Sequence, residues 1–158
     1  MRKYLLQFHL EQFRTTLFRQ VMFAEFEKLT HEHAENGGSL TPEWLNATYA
    51  GLNKKYYGEA VETDDFISHE WARIPHFYRA FYVYQYATGF SAAVAIAKMI
   101  LEEGEPAVQR YMSFLSGGGS DSPIEVLKRS GIDLSKPEPI REAMKTYKQV
   151  LASLEALL

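Results

Sequence analysis

The spacing of apolar residues constrains the fold of this chain more than any other feature of its sequence. Over residues 2–36, apolar side chains recur every three or four positions, which places them on one face of an α-helix. They are Leu6, Leu10, Phe13, Leu17, Val21 and Ala24. No segment shows the strict alternation that is typical of a half-buried strand. The sequence therefore predicts an all-α fold.

Glycine, proline and capping residues divide the chain into six predicted helices. Their approximate ranges are 2–36, 42–57, 75–104, 106–115, 123–130 and 139–158. Thr41 is the expected N-cap of the second helix and Pro42 its first residue. Gly58 is expected to end that helix, because glycine readily adopts the left-handed conformation found at helix ends. We expect residues 59–73 to form an ordered, irregular connection.

The third predicted helix is apolar on all sides, which is typical of a helix that others surround. Its first half is rich in aromatic residues, and an Ala-rich run from Ala92 to Ala97 follows. We therefore predict a single multi-helix domain, residues 1–158, with about six helices around this central aromatic and Ala-rich helix.

Charge and composition exclude several classes of partner. The net charge is −3 and no Lys/Arg run is present, so a nucleic acid is not expected to bind. The chain has no cysteine, which excludes disulfides and Cys-ligated zinc and fits a cytoplasmic location. Residues 1–6 lack the apolar core of a signal peptide. The longest apolar stretch, 90–101, is too short to span a bilayer, so we expect no membrane partner.

The five histidines do not provide a helical zinc site. Such a site needs two histidines four residues apart, with a glutamate beside the first as general base. His69 and Glu70 begin this pattern, but position 73 is an arginine. His31 and His33 are two apart and would point to different sides of a helix. The sequence therefore predicts no metal ligand in this chain.

A histidine followed by regularly spaced tyrosines is the candidate functional feature. Tyr78, Tyr82 and Tyr86 recur every four residues in the third predicted helix, close behind His76, and should form one stripe. Aromatic stripes are usually core. A buried tyrosine needs a partner for its hydroxyl, however, and phenylalanine would serve a core equally well. A core stripe and a polar pocket are both compatible with the pattern.

Three segments together resemble the oligoendopeptidase F branch of the thimet oligopeptidase-like zinc peptidases, the M3 family. They are residues 13–27, 71–89 and 114–123, of which the second is the most specific. The resemblance covers nearly the whole chain, in the family's order. It implies that the chain is the carboxy-terminal helical part of a larger catalytic domain.

The resemblance also implies a function. Members of this family hydrolyse short peptides in a deep cleft with one zinc, whose ligands lie upstream of the region matched here. Zinc is therefore expected in the full-length enzyme but not in this chain, which we expect to be inactive alone. His76 and Tyr82 are implied as catalytic residues that stabilise the oxyanion. Tyr78, Tyr84 and Tyr86 are implied as substrate-binding residues.

A second hypothesis is a non-catalytic helical scaffold that keeps the peptidase fold for peptide binding or dimerisation. The amino-terminal Met1 and a length suited to one domain favour it. Under either hypothesis, half of a cleft exposes apolar surface, and such surfaces associate. We therefore expect a homo-oligomer formed through the exposed cleft face.

Overall fold

The computed structural model describes all 158 residues, and its regular structure is entirely helical. Helices account for 76% of the chain and no strand is present, so the all-α prediction is confirmed. The seven α-helices are α1 (Arg2–Gln12), α2 (Arg19–Glu35), α3 (Pro42–Tyr57), α4 (Tyr84–Glu103), α5 (Glu105–Ser116), α6 (Pro123–Arg129) and α7 (Glu138–Glu155). None of them is both long enough and apolar enough to cross a membrane.

Three further helical pieces connect these α-helices. A π-helical turn, Phe13–Phe18, joins α1 to α2, and two 3-10 segments, Asp65–Arg73 and Pro75–Tyr78, lie between α3 and α4. The chain groups into two compact units: an aromatic unit, residues 14–87, and an α4–α7 unit, residues 1–13 with 88–158. The single-domain organisation stays a prediction.

Local sequence chemistry sets the ends of α3 as predicted. The Thr41 side chain accepts a hydrogen bond from the Trp44 amide at 3.3 Å, and Pro42 occupies the first position. Gly58 follows the last residue with a φ of 73°, a conformation that costs glycine little. The first predicted helix is confirmed in extent, whereas the π turn within it was not predicted.

The prediction of one helix over residues 75–104 is wrong in its first third. Residues 75–78 form a 3-10 turn, and α4 begins only at Tyr84. Between them Phe81 has a φ of 56° and is the only non-glycine residue with a positive φ. A residue in this left-handed region cannot continue a right-handed helix. The spacing of Tyr78, Tyr82 and Tyr86 therefore does not place them on one helical face.

The aromatic unit has a core built from α2, α3 and the connection to α4. Its buried members are Met22, Phe23, Phe26, Tyr49, Leu52, Ile74 and Val83. The ring of Phe26 packs edge-to-face on Tyr49 with centroids 5.3 Å apart, and Phe23 packs on Phe77 at 5.4 Å. Burying each such side chain contributes about 1.5–3 kcal/mol, so these contacts attach the connection firmly to α2 and α3.

The α4–α7 unit has a separate core. Ala92, Ala95, Ile96 and Ile132 are its buried members. The ring of Phe13 lies 4.9 Å from that of Phe90 and 5.4 Å from that of Tyr147. On the surface of this unit the Glu142 carboxylate accepts hydrogen bonds from Lys145 and Lys98, and these lower its pKa to about 2. The pair between Lys98 and Glu142 joins α4 to α7.

A buried carboxylate ties the first 3-10 segment to both neighbouring helices. Glu70 is 8% exposed. It accepts hydrogen bonds from the Tyr49 hydroxyl at 2.6 Å and from the Arg19 guanidinium at 2.6 Å, with Arg73 as a third donor. Burial acts to raise the pKa of Glu70, but hydrogen bonds from Arg19 and Tyr49 outweigh it and hold the pKa below its ordinary value of 4.5. Glu70 is therefore ionised at neutral pH.

Removing the fully buried Tyr49 hydroxyl should destabilise the chain more than removing a similar hydroxyl on a half-buried tyrosine. Tyr49→Phe should cost about 1.5–3 kcal/mol, the usual contribution of a hydrogen bond to a charged group. Tyr56→Phe is the matched control: its hydroxyl donates to Glu25 at 2.7 Å, but the Glu25 side chain is 29% exposed, so water can replace the bond. Urea unfolding of both variants measures the difference, and equal losses would contradict the role assigned to Glu70.

Candidate functional site

The candidate residues lie where the chain leaves the 3-10 turn and enters α4. Ile74 is extended, with φ −85° and ψ 104°, as the residue before a proline prefers. Pro75 then opens the short turn that carries His76. Tyr82 lies in the non-helical connection, and Tyr86 lies in the first turn of α4. The three side chains therefore come from three pieces of backbone with different geometry.

His76, Tyr82 and Tyr86 form one cluster of rings, which we call the imidazole–phenol cluster. The His76 imidazole stacks on the Tyr82 ring, with centroids 5.7 Å apart and planes 8° apart. The Tyr86 ring stands edge-on to both, at 5.8 Å from His76 and 5.4 Å from Tyr82. All three side chains are half-buried. The cluster is thus packed but still reaches the surface.

Weak hydrogen bonds connect the polar atoms of the cluster. The Tyr86 hydroxyl lies 3.4 Å from Nε2 of His76 and donates to the Tyr82 hydroxyl at 3.3 Å. The bond to Tyr82 raises the pKa of Tyr86, so this phenol keeps its proton at neutral pH. Because Tyr82 accepts this bond, its own proton is available to a ligand. Contacts of this length are long for O–H donors and can give way to a better acceptor.

A positive charge lies against the same cluster. The guanidinium carbon of Arg79 is 4.9 Å from the centroid of the Tyr82 ring, within the range of a cation–π interaction. The cluster therefore combines hydroxyl and imidazole groups with the nearby cation of Arg79. This combination suits a ligand oxygen that carries, or develops, negative charge.

The other two predicted tyrosines are more exposed than the members of the cluster. Tyr78 is 86% exposed and Tyr84 is 51% exposed. Their predicted role in binding substrate stays a prediction, as do the catalytic roles of His76 and Tyr82. What the structure adds is that His76, Tyr82 and Tyr86 are neighbours.

A buried glutamate that the sequence did not single out for this role holds the loop beside the cluster. The Glu27 carboxylate on α2 accepts a hydrogen bond from the backbone N–H of Phe81 at 2.6 Å. Glu27 is 5% exposed, whereas the other glutamate of the same turn, Glu25, is half-buried. The one sequence feature that could have indicated a buried Glu27 is its position directly after Phe26 on an apolar helical face.

The residues of this chain do not fit a zinc site. A catalytic zinc takes three protein ligands, and no group of three or more His, Asp or Glu side chains is placed to hold a metal ion. His31 and His33 pack instead on aromatic rings: His31 lies 4.6 Å from Phe81, and His33 stacks on Trp44 at 4.0 Å.

Comparison with known proteins gives a consistent result. The model for "Peptidase family M3" matches residues 1–146. Oligopeptidase PepF of Bacillus subtilis (strain 168) is 54% identical over 157 residues, which is 99% of this chain and 23% of that protein. The plasmid-encoded oligoendopeptidase F of Lactococcus lactis subsp. cremoris is 43% identical over 154 residues, 98% of this chain and 26% of that protein.

A solved structure agrees with these sequence matches. The crystal structure of oligoendopeptidase-F from Enterococcus faecium superposes with a TM-score of 0.95 at 49% sequence identity, over 99% of this chain and 30% of that one. The chain thus spans about a quarter of the length of the curated relatives that it matches. The resemblance to oligoendopeptidase F is confirmed, and the chain belongs to peptidase family M3.

Proposed function

We propose that this chain forms the substrate-facing wall of an oligoendopeptidase that hydrolyses short peptides. The proposal rests on the imidazole–phenol cluster, in which His76, Tyr82 and Tyr86 present polar groups at one half-buried place. His76 and Tyr82 are the proposed catalytic residues. In this account the chain is part of a longer enzyme and is inactive alone.

The proposed role of the cluster is to stabilise negative charge on the scissile carbonyl oxygen. Hydrolysis of a peptide passes through a tetrahedral intermediate whose oxygen is an anion. Donors already in place for that oxygen lower the barrier, because they need no reorganisation during the reaction. Tyr82 would donate its O–H and His76 a ring N–H. Tyr86 donates to the Tyr82 oxygen and so leaves the Tyr82 proton free for the substrate.

The remaining tyrosines are proposed to contact the peptide away from the bond that is cleaved. Tyr78 and Tyr84 are exposed and carry both an apolar ring and a hydroxyl. Such side chains pack on a peptide and hydrogen-bond to it with little loss of conformational entropy. Tyr86 would combine this role with its hydrogen bond to Tyr82.

We propose that the zinc of the full-length enzyme is held outside this chain, as the resemblance implies. The proposed partner is a short peptide, with neither nucleic acid nor membrane involved. The proposed compartment is the cytoplasm, because a chain without cysteine fits a reducing environment.

The purified 158-residue chain should cleave no peptide, because it has no residues placed to hold a metal ion. A short quenched fluorescent peptide, of the class proposed as substrate, serves as the probe. Zinc content after dialysis should be well below one ion per chain. Cleavage by the chain alone that a chelator abolishes would contradict the proposal.

The same chain should support activity when it replaces the matched 157 residues of the Bacillus subtilis relative. In this chimera, Tyr82→Phe and His76→Gln should each lower kcat by about 10²–10³, the usual cost of one lost oxyanion donor. KM should change far less, since the lost interaction belongs to the transition state.

Tyr4→Phe is the matched control for the chimera, because Tyr4 is 66% exposed on α1 and lies outside the cluster. It should leave both kcat and KM unchanged. A chimera that cleaves peptide equally well with Tyr82→Phe would remove Tyr82 from the catalytic residues.

We propose that the separate chain self-associates through its exposed cleft face. Three aromatic residues that neighbour the cluster in the sequence are each more than half exposed. They are Tyr78 at 86%, Phe81 at 54% and Tyr84 at 51%. Exposed aromatic residues of this kind favour association. Light scattering should give a mass above 18.1 kDa, and Tyr78→Glu should return it towards that of the monomer. A monomer at all concentrations of the unsubstituted chain would contradict this.

A further inference from the structure

The backbone directly before Tyr82 is held in an unfavourable conformation. Phe81 has a φ of 56° and is the only non-glycine residue of the chain with positive φ. A bulky L-residue in this region is strained by about 1–2 kcal/mol. Such residues persist only where their surroundings fix them, and they concentrate at functional sites.

Glu27 supplies the contact to the backbone of Phe81. Its carboxylate accepts the Phe81 N–H at 2.6 Å, which is short for an N–H···O hydrogen bond. Glu27 is 5% exposed, and its neighbours Phe23 and Phe26 on α2 belong to the aromatic core. A carboxylate buried at this level is costly unless a donor faces it. The strained amide and the buried carboxylate thus stabilise each other.

His31, one helical turn beyond Glu27, contacts the side chain of the same residue. The ring of His31 lies 4.6 Å from the ring of Phe81, with planes 33° apart. Helix α2 therefore holds Phe81 by its backbone and by its ring. On the other side of Tyr82, Val83 is fully buried. Tyr82 is the residue between these two fixed points.

We propose that Glu27 is a positioning residue that sets the Tyr82 phenol against His76. By accepting the amide of Phe81, it keeps that residue left-handed and so fixes the direction in which the chain enters Tyr82. Without this bond Phe81 relaxes to negative φ, and Tyr82 must turn because Val83 stays buried. The functional consequence rests on the proposed role of the cluster, whereas the positioning itself is a separate, structural statement.

The positioning is tested by NMR on the 158-residue chain with ¹³C-labelled histidine and tyrosine. Stacked rings give cross-relaxation between His76 and Tyr82 protons. Glu27→Leu should abolish this signal, because leucine fills the space without accepting a hydrogen bond. Glu27→Gln should keep it, since the amide oxygen still accepts from Phe81.

Two further variants separate positioning from general stability. Glu25 lies on α2 like Glu27, and its carboxylate accepts hydrogen bonds from Tyr56 and Lys55 of α3. Glu25→Leu removes these bonds and should leave the His76–Tyr82 signal intact. Phe81→Gly, added to Glu27→Leu, should restore part of the signal, because glycine takes positive φ without strain. If Glu27→Leu does not fold, Glu27→Asp replaces it. Aspartate keeps the carboxylate but is one methylene shorter, so the hydrogen bond to the Phe81 amide should lengthen and the His76–Tyr82 signal should weaken.

A persistent His76–Tyr82 signal in folded Glu27→Leu would overturn the proposal, as would a folded double variant in which Phe81→Gly restores nothing.

In the chimera, Glu27→Leu should lower kcat by about 10²-fold, the usual cost of misplacing a catalytic group by about 1 Å. KM should change much less. If kcat is unchanged in Glu27→Leu while Tyr82→Phe still lowers it, the proposal that Glu27 positions Tyr82 is overturned. If Tyr82→Phe has no effect, the proposed function fails, and the NMR result alone judges the positioning.

Discussion

Two buried carboxylates hold the connection between α3 and α4 against the helices beside it. Glu70 anchors the first half by accepting from Tyr49 and Arg19. Glu27 anchors the second half by accepting from the amide of Phe81. A buried charge that loses its partner is strongly destabilising, by about 3–5 kcal/mol for a broken pair. The connection is therefore fixed at two points, Glu70 and Phe81, although it contains only short 3-10 segments.

This irregular geometry is what allows the imidazole–phenol cluster to form. On a continuous helix His76 and Tyr82, six residues apart, would point about 120° apart around the axis. In the structure their rings stack at 5.7 Å. Tyr86 joins them from the first turn of α4. The helix break is thus the feature that converts an aromatic-rich segment into a site with clustered donors.

The sequence predicts the features that depend on neighbouring residues. Thr41 and Gly58 set the ends of α3 by local cap chemistry, and both were identified. The break near Phe81 could not be predicted, because the segment contains no glycine or proline at that point. Its partner Glu27 lies 54 residues away. Glu70 was noticed only as part of an incomplete zinc motif, since its partners come from two other helices. The spacing of the tyrosines behind His76 singled out the cluster members, and the family resemblance assigned roles to them, but the continuous helix on which the spacing argument rested does not exist.

The most direct test of this account is the amide hydrogen exchange rate of Phe81 in the 158-residue chain. A hydrogen bond to a charged group contributes about 1.5–3 kcal/mol, which corresponds to exchange slowed by roughly tenfold to a hundredfold. We predict protection of at least this size, lost in Glu27→Leu and only reduced in Glu27→Gln, because a neutral acceptor contributes about 0.5–1.5 kcal/mol. Exchange of the Phe81 amide at the rate of an unstructured peptide would contradict the account.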